Sequence, residues 1–179
     1  MNELTGAPSI ALDGWTLHLQ RGLPALFNLY RGHAELVDEF DLRSCDGDVC
    51  YASAGPVGVD WPSLVVVQRF SPSVAGFDPG IAFLPESRLL LLGAGTRILA
   101  YDLTRPARLW EDTADIGFWS WHVYPTAVLM SAELELAAWD RQGTKLWTRF
   151  VEPPWSFQVE RDTVHLDVMG EHTQFPLHD

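Results

Sequence analysis

The chain is poor in positive charge. It has 12 basic residues against 24 acidic residues, only Lys145 among them is a lysine, and the formal net charge is −12. Nucleic-acid binding needs a basic surface that displaces counterions, whereas the arginines here are scattered, so we expect no nucleic-acid partner. An acidic surface favours solubility and also attracts basic partners.

Long apolar runs and a secretion signal are also missing. The segment Met1–Ala7 has no basic region followed by an apolar core, and the longest apolar runs, such as Leu89–Leu92, are too short to cross a bilayer. We therefore predict a cytoplasmic protein with no membrane partner. An apolar content of 47% and a length of 179 residues are typical of one globular domain.

Cysteine is scarce. Cys45 and Cys50 flank the segment 46–49, which predicts a hairpin tip where a disulfide is sterically possible. In the reducing compartment predicted above, free thiols are the expected state. The spacing of the two cysteines also differs from that of redox and zinc motifs.

What the chain does contain is an internal repeat of 38 residues between Arg88 and His178. Two sets of landmarks recur at this spacing without a gap: Leu90, Val128 and Leu166, and Tyr101, Trp139 and Leu177. A period of about 35 to 50 residues built from short apolar runs is typical of blade-type β repeats, since each small sheet must bury a face on its neighbour. We predict a single all-β domain over 1–179, with repeated antiparallel β-sheets and three blade-like repeats over 76–179.

Residues 1–75 have a different pattern. Trp15–Leu19 alternates apolar and polar side chains like a half-buried strand, and Leu64–Val67 is typical of a buried strand. Glu35–Leu42 fits either a helical turn or an irregular strand. We predict that this region supplies divergent strands that cap the stack, giving a propeller-like partial array or a two-sheet β-sandwich. The proline and glycine residues of 71–80 predict a long ordered loop.

The second repeat carries a more specific pattern. In Leu136–Trp147, an Ala-x-Asp strand end is followed by a Gly-Thr-Lys turn and a tryptophan two residues later. This segment resembles the blade signature of quinoprotein-type (PQQ-like) β-propellers, although in that family the turn has the order Thr-Gly-Lys. The resemblance covers about half the chain. The resemblance implies that Gly143 permits the turn and that Trp147 packs between sheets. It does not extend to cofactor-binding residues, so we expect no cofactor.

Catalytic and metal-binding motifs are missing. There is no Gly-x-Ser-x-Gly elbow, no cysteine in a catalytic signature and no His-Glu-x-x-His helix. His165 and Asp167 share one face of a predicted strand, and Glu171 and His172 follow the next turn, but structural or surface histidines are the favoured interpretation. We therefore assign no catalytic and no metal-binding residue.

One segment is a candidate for binding. In Phe118–His122, strict alternation predicts that Trp119 and Trp121 share one face of a strand. Aromatic anchors within a charged border are typical of protein-binding surfaces, and the alternative is that these rings pack inward between two sheets. The candidate binding residues are Trp119, Trp121, Trp155, Glu111, Asp112, Glu133 and Glu135.

Three functional hypotheses follow. The leading one is a non-enzymatic acidic module that binds a basic protein, with an immunity- or antitoxin-type protein as one concrete form. The second is a carbohydrate-active hydrolase that uses paired carboxylates beside tryptophans. The third is a self-assembling structural protein whose exposed strand edges pair to form a homo-oligomer.

Overall fold

A computed structural model of the chain describes residues 9–43, 46–71 and 77–178. This part of the chain forms sixteen β-strands in four sheets, together with one short helix. All strand pairs but one are antiparallel. The predicted all-β fold class is therefore confirmed.

The N-terminal sheet has five strands in the order β1-β2-β4-β5-β3. Its elements in chain order are β1 (Ser9–Leu12), β2 (Trp15–Arg21), α1 (Phe27–His33), β3 (Leu36–Phe40), β4 (Asp48–Pro56) and β5 (Leu64–Phe70). Strand β3 pairs in parallel with β5. Of the two alternatives for 35–42, the structure contains the strand, and it adds a short helix that the capping-strand prediction did not include.

The other three sheets are simple meanders in which each strand pairs with the next one along the chain. The second sheet consists of β6 (Gly80–Leu84), β7 (Leu89–Ala94), β8 (Arg97–Asp102) and β9 (Ala107–Thr113). The third consists of β10 (Phe118–Val123), β11 (Ala127–Ala132), β12 (Glu135–Asp140) and β13 (Lys145–Phe150). The fourth consists of β14 (Trp155–Glu160), β15 (Thr163–Val168) and β16 (Glu171–Pro176).

Successive sheets pack face to face through alternating side chains. Leu90 and Tyr101 of the second sheet pack on the N-terminal sheet, and Val128 and Trp139 of the third sheet pack on the second. Leu166 and Leu177 pack in the same way on the third sheet. Residues 38 positions apart therefore bury the corresponding face of each sheet, since side-chain direction alternates along a strand.

The fourth sheet departs from the register of the other two. Leu90 pairs with Tyr101 and Val128 pairs with Trp139, but Leu166 pairs with Thr173. The last hairpin is shorter, so Leu177 lies just beyond the end of β16. It still packs on the third sheet. Leu177 lies four residues after Thr173, the partner of Leu166, and an even separation along an extended chain preserves the side-chain direction.

The outer faces of the first and the last described sheets differ. On the N-terminal sheet, α1 covers part of the outer face, where Phe27 and Tyr30 pack on Tyr51 and Val65. On the fourth sheet, the outer face is polar, with Gln158, His165 and Gln174 paired in one row across the strands.

Some predictions fall outside the described residues. These include Cys45 and the segment 72–76 of the predicted loop, so the free-thiol state expected for Cys45 stays a prediction. Cys50 is fully buried in β4, and burial raises the pKa of its thiol to about 12.

No helix in the part of the chain that the structure describes has the length and apolar character needed to span a membrane.

Two tryptophans of the blade-like segment should differ in their contribution to stability. Trp139 is 2% exposed and stacks on Trp110 of the second sheet, whereas Trp147 is only partly buried. We expect Trp139→Ala to lower the free energy of unfolding by about 3–5 kcal/mol, and Trp147→Ala to lower it by less. Urea denaturation of the two variants measures this, and equal losses would contradict the assigned packing.

Candidate functional site

Four aromatic rings form a continuous aromatic strip across three parts of the structure. The ring of Phe77, which precedes β6, lies 5.0 Å from that of Trp119 in β10. Trp119 stacks on Trp155 of β14 at 5.4 Å and 7°, and Trp155 stacks on Phe157 at 6.2 Å. Phe77 is 42% exposed and the other three rings are partly exposed, so the strip meets solvent.

A β-bulge places Trp119 in the strip. Phe118 pairs with Ala132 and Ser120 pairs with Ser131, so Trp119 is an extra residue without a partner on β11. A bulge disrupts strict alternation and redirects the side chains around it. Trp119 therefore points toward the fourth sheet, where it meets Trp155.

Trp121 lies on the opposite face of β10. It packs beside Phe118 and Trp139 in the core between the second and third sheets, and its Nε1 donates to the Gly80 carbonyl at 3.2 Å. The prediction that Trp119 and Trp121 share one face is wrong, because alternation does not hold through the bulge.

The loops beside the strip are acidic. Asp115 precedes Trp119 along the chain, and Glu152 precedes Trp155. The Trp155 Nε1 donates a hydrogen bond to the Glu133 carbonyl at 3.1 Å. The segments 114–117, 133–134 and 151–154 contain no lysine or arginine. Of the candidate binding residues, the structure brings together Trp119, Trp155 and Glu133.

Glu111 lies elsewhere, at the boundary between the N-terminal and second sheets. Its carboxylate accepts hydrogen bonds from Arg97 at 2.9 Å and from Arg108 at 3.2 Å. Arg97 also donates to Asp41 at 2.8 Å, and Arg108 lies 3.4 Å from Asp38. These ion pairs connect β9 to the N-terminal sheet.

Asp112 and Glu135 share the chain's one lysine. The Lys145 Nζ lies 2.8 Å from the Asp112 carboxylate and 3.9 Å from the Glu135 carboxylate, which connects the second and third sheets. Glu135 is only 4% exposed and accepts a hydrogen bond from the Asp115 N–H at 3.0 Å. Burial raises the pKa of the Glu135 carboxyl; the hydrogen bond from the Asp115 N–H and the charge of Lys145 oppose this shift, and the nearby acids Asp115 and Asp112 add to it.

A second polar cluster, which the sequence analysis missed, lies beside Phe157. The His122 Nε2 lies 2.9 Å from the Ser120 Oγ and 3.1 Å from the Ser131 Oγ, and the two hydroxyl oxygens are 3.0 Å apart. The alternation of Ser120 and His122 on β10 is the only sequence signal for it. Burial lowers the pKa of His122, so the ring is neutral at pH 7. The three side chains are hydrogen-bond partners of one another, and the His122 ring contacts the Phe157 ring edge-on.

The other histidines do not assemble a metal centre. The His172 Nδ1 lies 3.2 Å from the Asp167 carboxylate on the polar face of the fourth sheet. Among the described residues, no group of three or more histidine, cysteine or acidic side chains is placed to hold a metal ion.

The described sheets define an all-β protein built from successive propeller-like sheets. No family model matches the chain, and the comparison with curated proteins finds no match. Similar solved structures include BamB from Moraxella catarrhalis, with 7% identity over 94% of this chain and 41% of that chain and a TM-score of 0.46. The designed protein Ika8 has 11% identity over 72% and 45% of the two chains and a TM-score of 0.40.

A third similar structure is KlHsv2 with its loop 6CD replaced by a Gly-Ser linker. It has 12% identity over 54% of this chain and 34% of that chain, and a TM-score of 0.31. The chain spans less than half the length of each of these three proteins.

The burial of Glu135 has a testable consequence for stability. Since its folded-state pKa is raised, the charged carboxylate destabilises the folded protein at pH values above that pKa. We expect Glu135→Gln to raise the Tm at pH 7 by a few degrees, because 1 kcal/mol corresponds to about 2–4 °C in a chain of this size. The gain should shrink as the pH falls toward the unfolded-state pKa of about 4.3.

Thermal unfolding monitored by circular dichroism measures this difference at each pH. The matched control is Glu160→Gln, since Glu160 is an exposed glutamate at the end of β14. A lower Tm for Glu135→Gln at pH 7 would show that the Lys145 contact outweighs burial.

Proposed function

We propose that the chain is a non-enzymatic binding module that engages a basic protein through the aromatic strip and its acidic border. The observation that carries this proposal is the continuous, partly exposed stack of Phe77, Trp119, Trp155 and Phe157. An immunity- or antitoxin-type protein is one concrete form of such a module.

The strip has the physical character of an interface centre. Tryptophan is enriched among the residues that carry most of the binding energy in protein interfaces, because a large flat ring buries much apolar area. Trp119 and Trp155 already stack on each other at 7°, and Trp155 is further held by its hydrogen bond to Glu133. Rings fixed in this way lose little conformational entropy on binding.

Charge favours a basic partner. The border residues Asp115, Glu133 and Glu152 are accompanied by no basic residue in their loops, and the whole chain carries a net charge of −12. Such a field speeds the approach of a cationic protein and disfavours an acidic one. The association should therefore weaken as salt screens these charges.

The hydrolase hypothesis has less support. A glycosidase needs two carboxyl groups that face each other across an open cleft. Asp112 and Glu135 are near each other, but Lys145 contacts both, and Glu135 is buried. Lys145 pairs with both acids and connects two sheets, so the two carboxyl groups are not arranged as a free acid–base pair.

The proposal is tested by affinity capture from the native cytosol, with washes at low and then high salt. We expect the wild-type chain to retain a basic protein that high salt releases. For the identified partner, Trp119→Ala should weaken binding by about 30-fold or more, as expected for an interface hot spot. Glu133→Gln should mainly slow association.

Phe150→Ala is the matched control, because Phe150 is a 64% exposed aromatic residue on β13 outside the strip. It should bind like the wild-type chain. Capture that is indifferent to salt, or that survives in Trp119→Ala, would refute the proposal. Light scattering of the free chain distinguishes the self-assembly hypothesis, which predicts a dimer or larger species.

A further inference from the structure

A groove of about 610 Å³ lies on the outer face of the N-terminal sheet, on the side away from the second sheet. This volume falls within the range of about 300 to 1,000 Å³ that is typical of small-molecule sites. Thr16 and His18 of β2 and Ser53 of β4 lie on its floor, where His18 pairs across the strands with Ser53.

The floor is the half of this sheet face that α1 leaves uncovered. Beneath α1, the outward side chains of β5, Val65 and Val67, are apolar and buried. On β2, the outward side chains are Thr16, His18 and Gln20, which are polar and only partly buried. One face of a single sheet is therefore divided into a covered apolar half and an open polar half.

The walls of the groove are apolar and aromatic. Leu23, Leu26 and Val59 line it and are between 47% and 57% exposed. Trp61 also lines it, and the Trp61 ring stacks on His33 at 4.2 Å and 14°. An exposed rim of this kind favours contact with an apolar group, and the stacked indole offers a rigid flat surface.

The groove has little charge. Its described lining includes no lysine or arginine, so nothing there is suited to hold a phosphate or carboxylate group. Burial lowers the pKa of His18, which makes the ring neutral at pH 7, and Asp60 is the one acidic residue of the described lining. This composition favours a ligand that is uncharged and rich in hydrogen-bonding groups.

One lining hydroxyl lacks a partner. Tyr51 is 2% exposed, and its hydroxyl makes no hydrogen bond of good geometry among the described residues, although the nearby Ser53 hydroxyl lowers its pKa. Burial dominates and raises the Tyr51 pKa to about 12, so the hydroxyl stays protonated. The Tyr51 hydroxyl is itself inaccessible from the groove, so the polar side chains of the floor that a ligand can reach are Thr16, His18 and Gln20.

We propose that this groove binds a neutral glycoside, with the sugar hydroxyls on the polar floor and an apolar aglycone along the rim of Leu23, Leu26 and Val59. The groove binds such a ligand without hydrolysing it, because a glycosidase needs two carboxyl groups and the described lining has only Asp60. This site lies on a different sheet from Trp119 and Trp155 and does not depend on the protein-binding function proposed above.

The test uses n-octyl β-D-glucoside below its critical micelle concentration, titrated into the full chain and followed by calorimetry or NMR. We expect saturable binding with a stoichiometry of one, and binding of octyl sulfate and octyltrimethylammonium that is at least tenfold weaker. His18→Ala should weaken glucoside binding at least fivefold. His165→Ala should leave it unchanged, because His165 is a partly buried histidine on the polar face of the fourth sheet, outside the groove.

The rim is tested separately with Leu26→Asp, at a side chain that is 49% exposed, so that folding is preserved. This variant should remove most of the advantage of octyl over methyl β-D-glucoside. The proposal is overturned if the glucoside does not bind below its critical micelle concentration, if the cationic or anionic probe binds as tightly, or if His18→Ala has no effect. Far-ultraviolet circular dichroism confirms that each variant is folded.

Discussion

Burial of both faces of the inner sheets is the constraint on which the rest of this structure depends. Every residue of β7 and of β11 is buried, because each strand packs against a sheet on either side. A sheet of this kind cannot exist alone in water, since an exposed apolar face costs free energy in proportion to its area. Each propeller-like sheet therefore requires the next, and the features available for binding are restricted to the rims and the two ends of the stack.

This constraint explains why the repeat was visible in the sequence. Leu90 and Val128 occupy matching positions because both bury the face that meets the preceding sheet, and the alternation of side chains then determines which neighbours are apolar. Other features had no comparable signal. The bulge at Trp119 is one extra residue in β10, and no residue type in that strand marks its position. Helix α1 has seven residues, no buried side chain and no side-chain cap. A helix so short depends on tertiary contacts rather than on its own periodicity.

The candidate binding surfaces show the same limit. Trp119 and Trp155 were recognisable as candidates from their residue type, but their contact depends on a bulge in one sheet and on the position of the next sheet. Likewise, the alternation of Thr16 and His18 on β2 indicates a polar face, but whether that face is open or covered depends on where α1 packs. Local sequence patterns predict which face of a strand a side chain lies on. A binding site also depends on which other element packs opposite that face, and local patterns do not contain this information.

Several of the few basic residues form ion pairs between neighbouring sheets. Arg97 and Arg108 connect the second sheet to the N-terminal sheet, and Lys145 connects the third sheet to the second. These cations pair with acids at the sheet boundaries, so they do not offset the acids of the loops beside the aromatic strip. The acids of the segments 114–117, 133–134 and 151–154 have no basic residue beside them within those segments. The packing of sheets that stabilises the fold therefore also brings Trp119 and Trp155 together and pairs Arg108 and Lys145 with acids at the sheet boundaries.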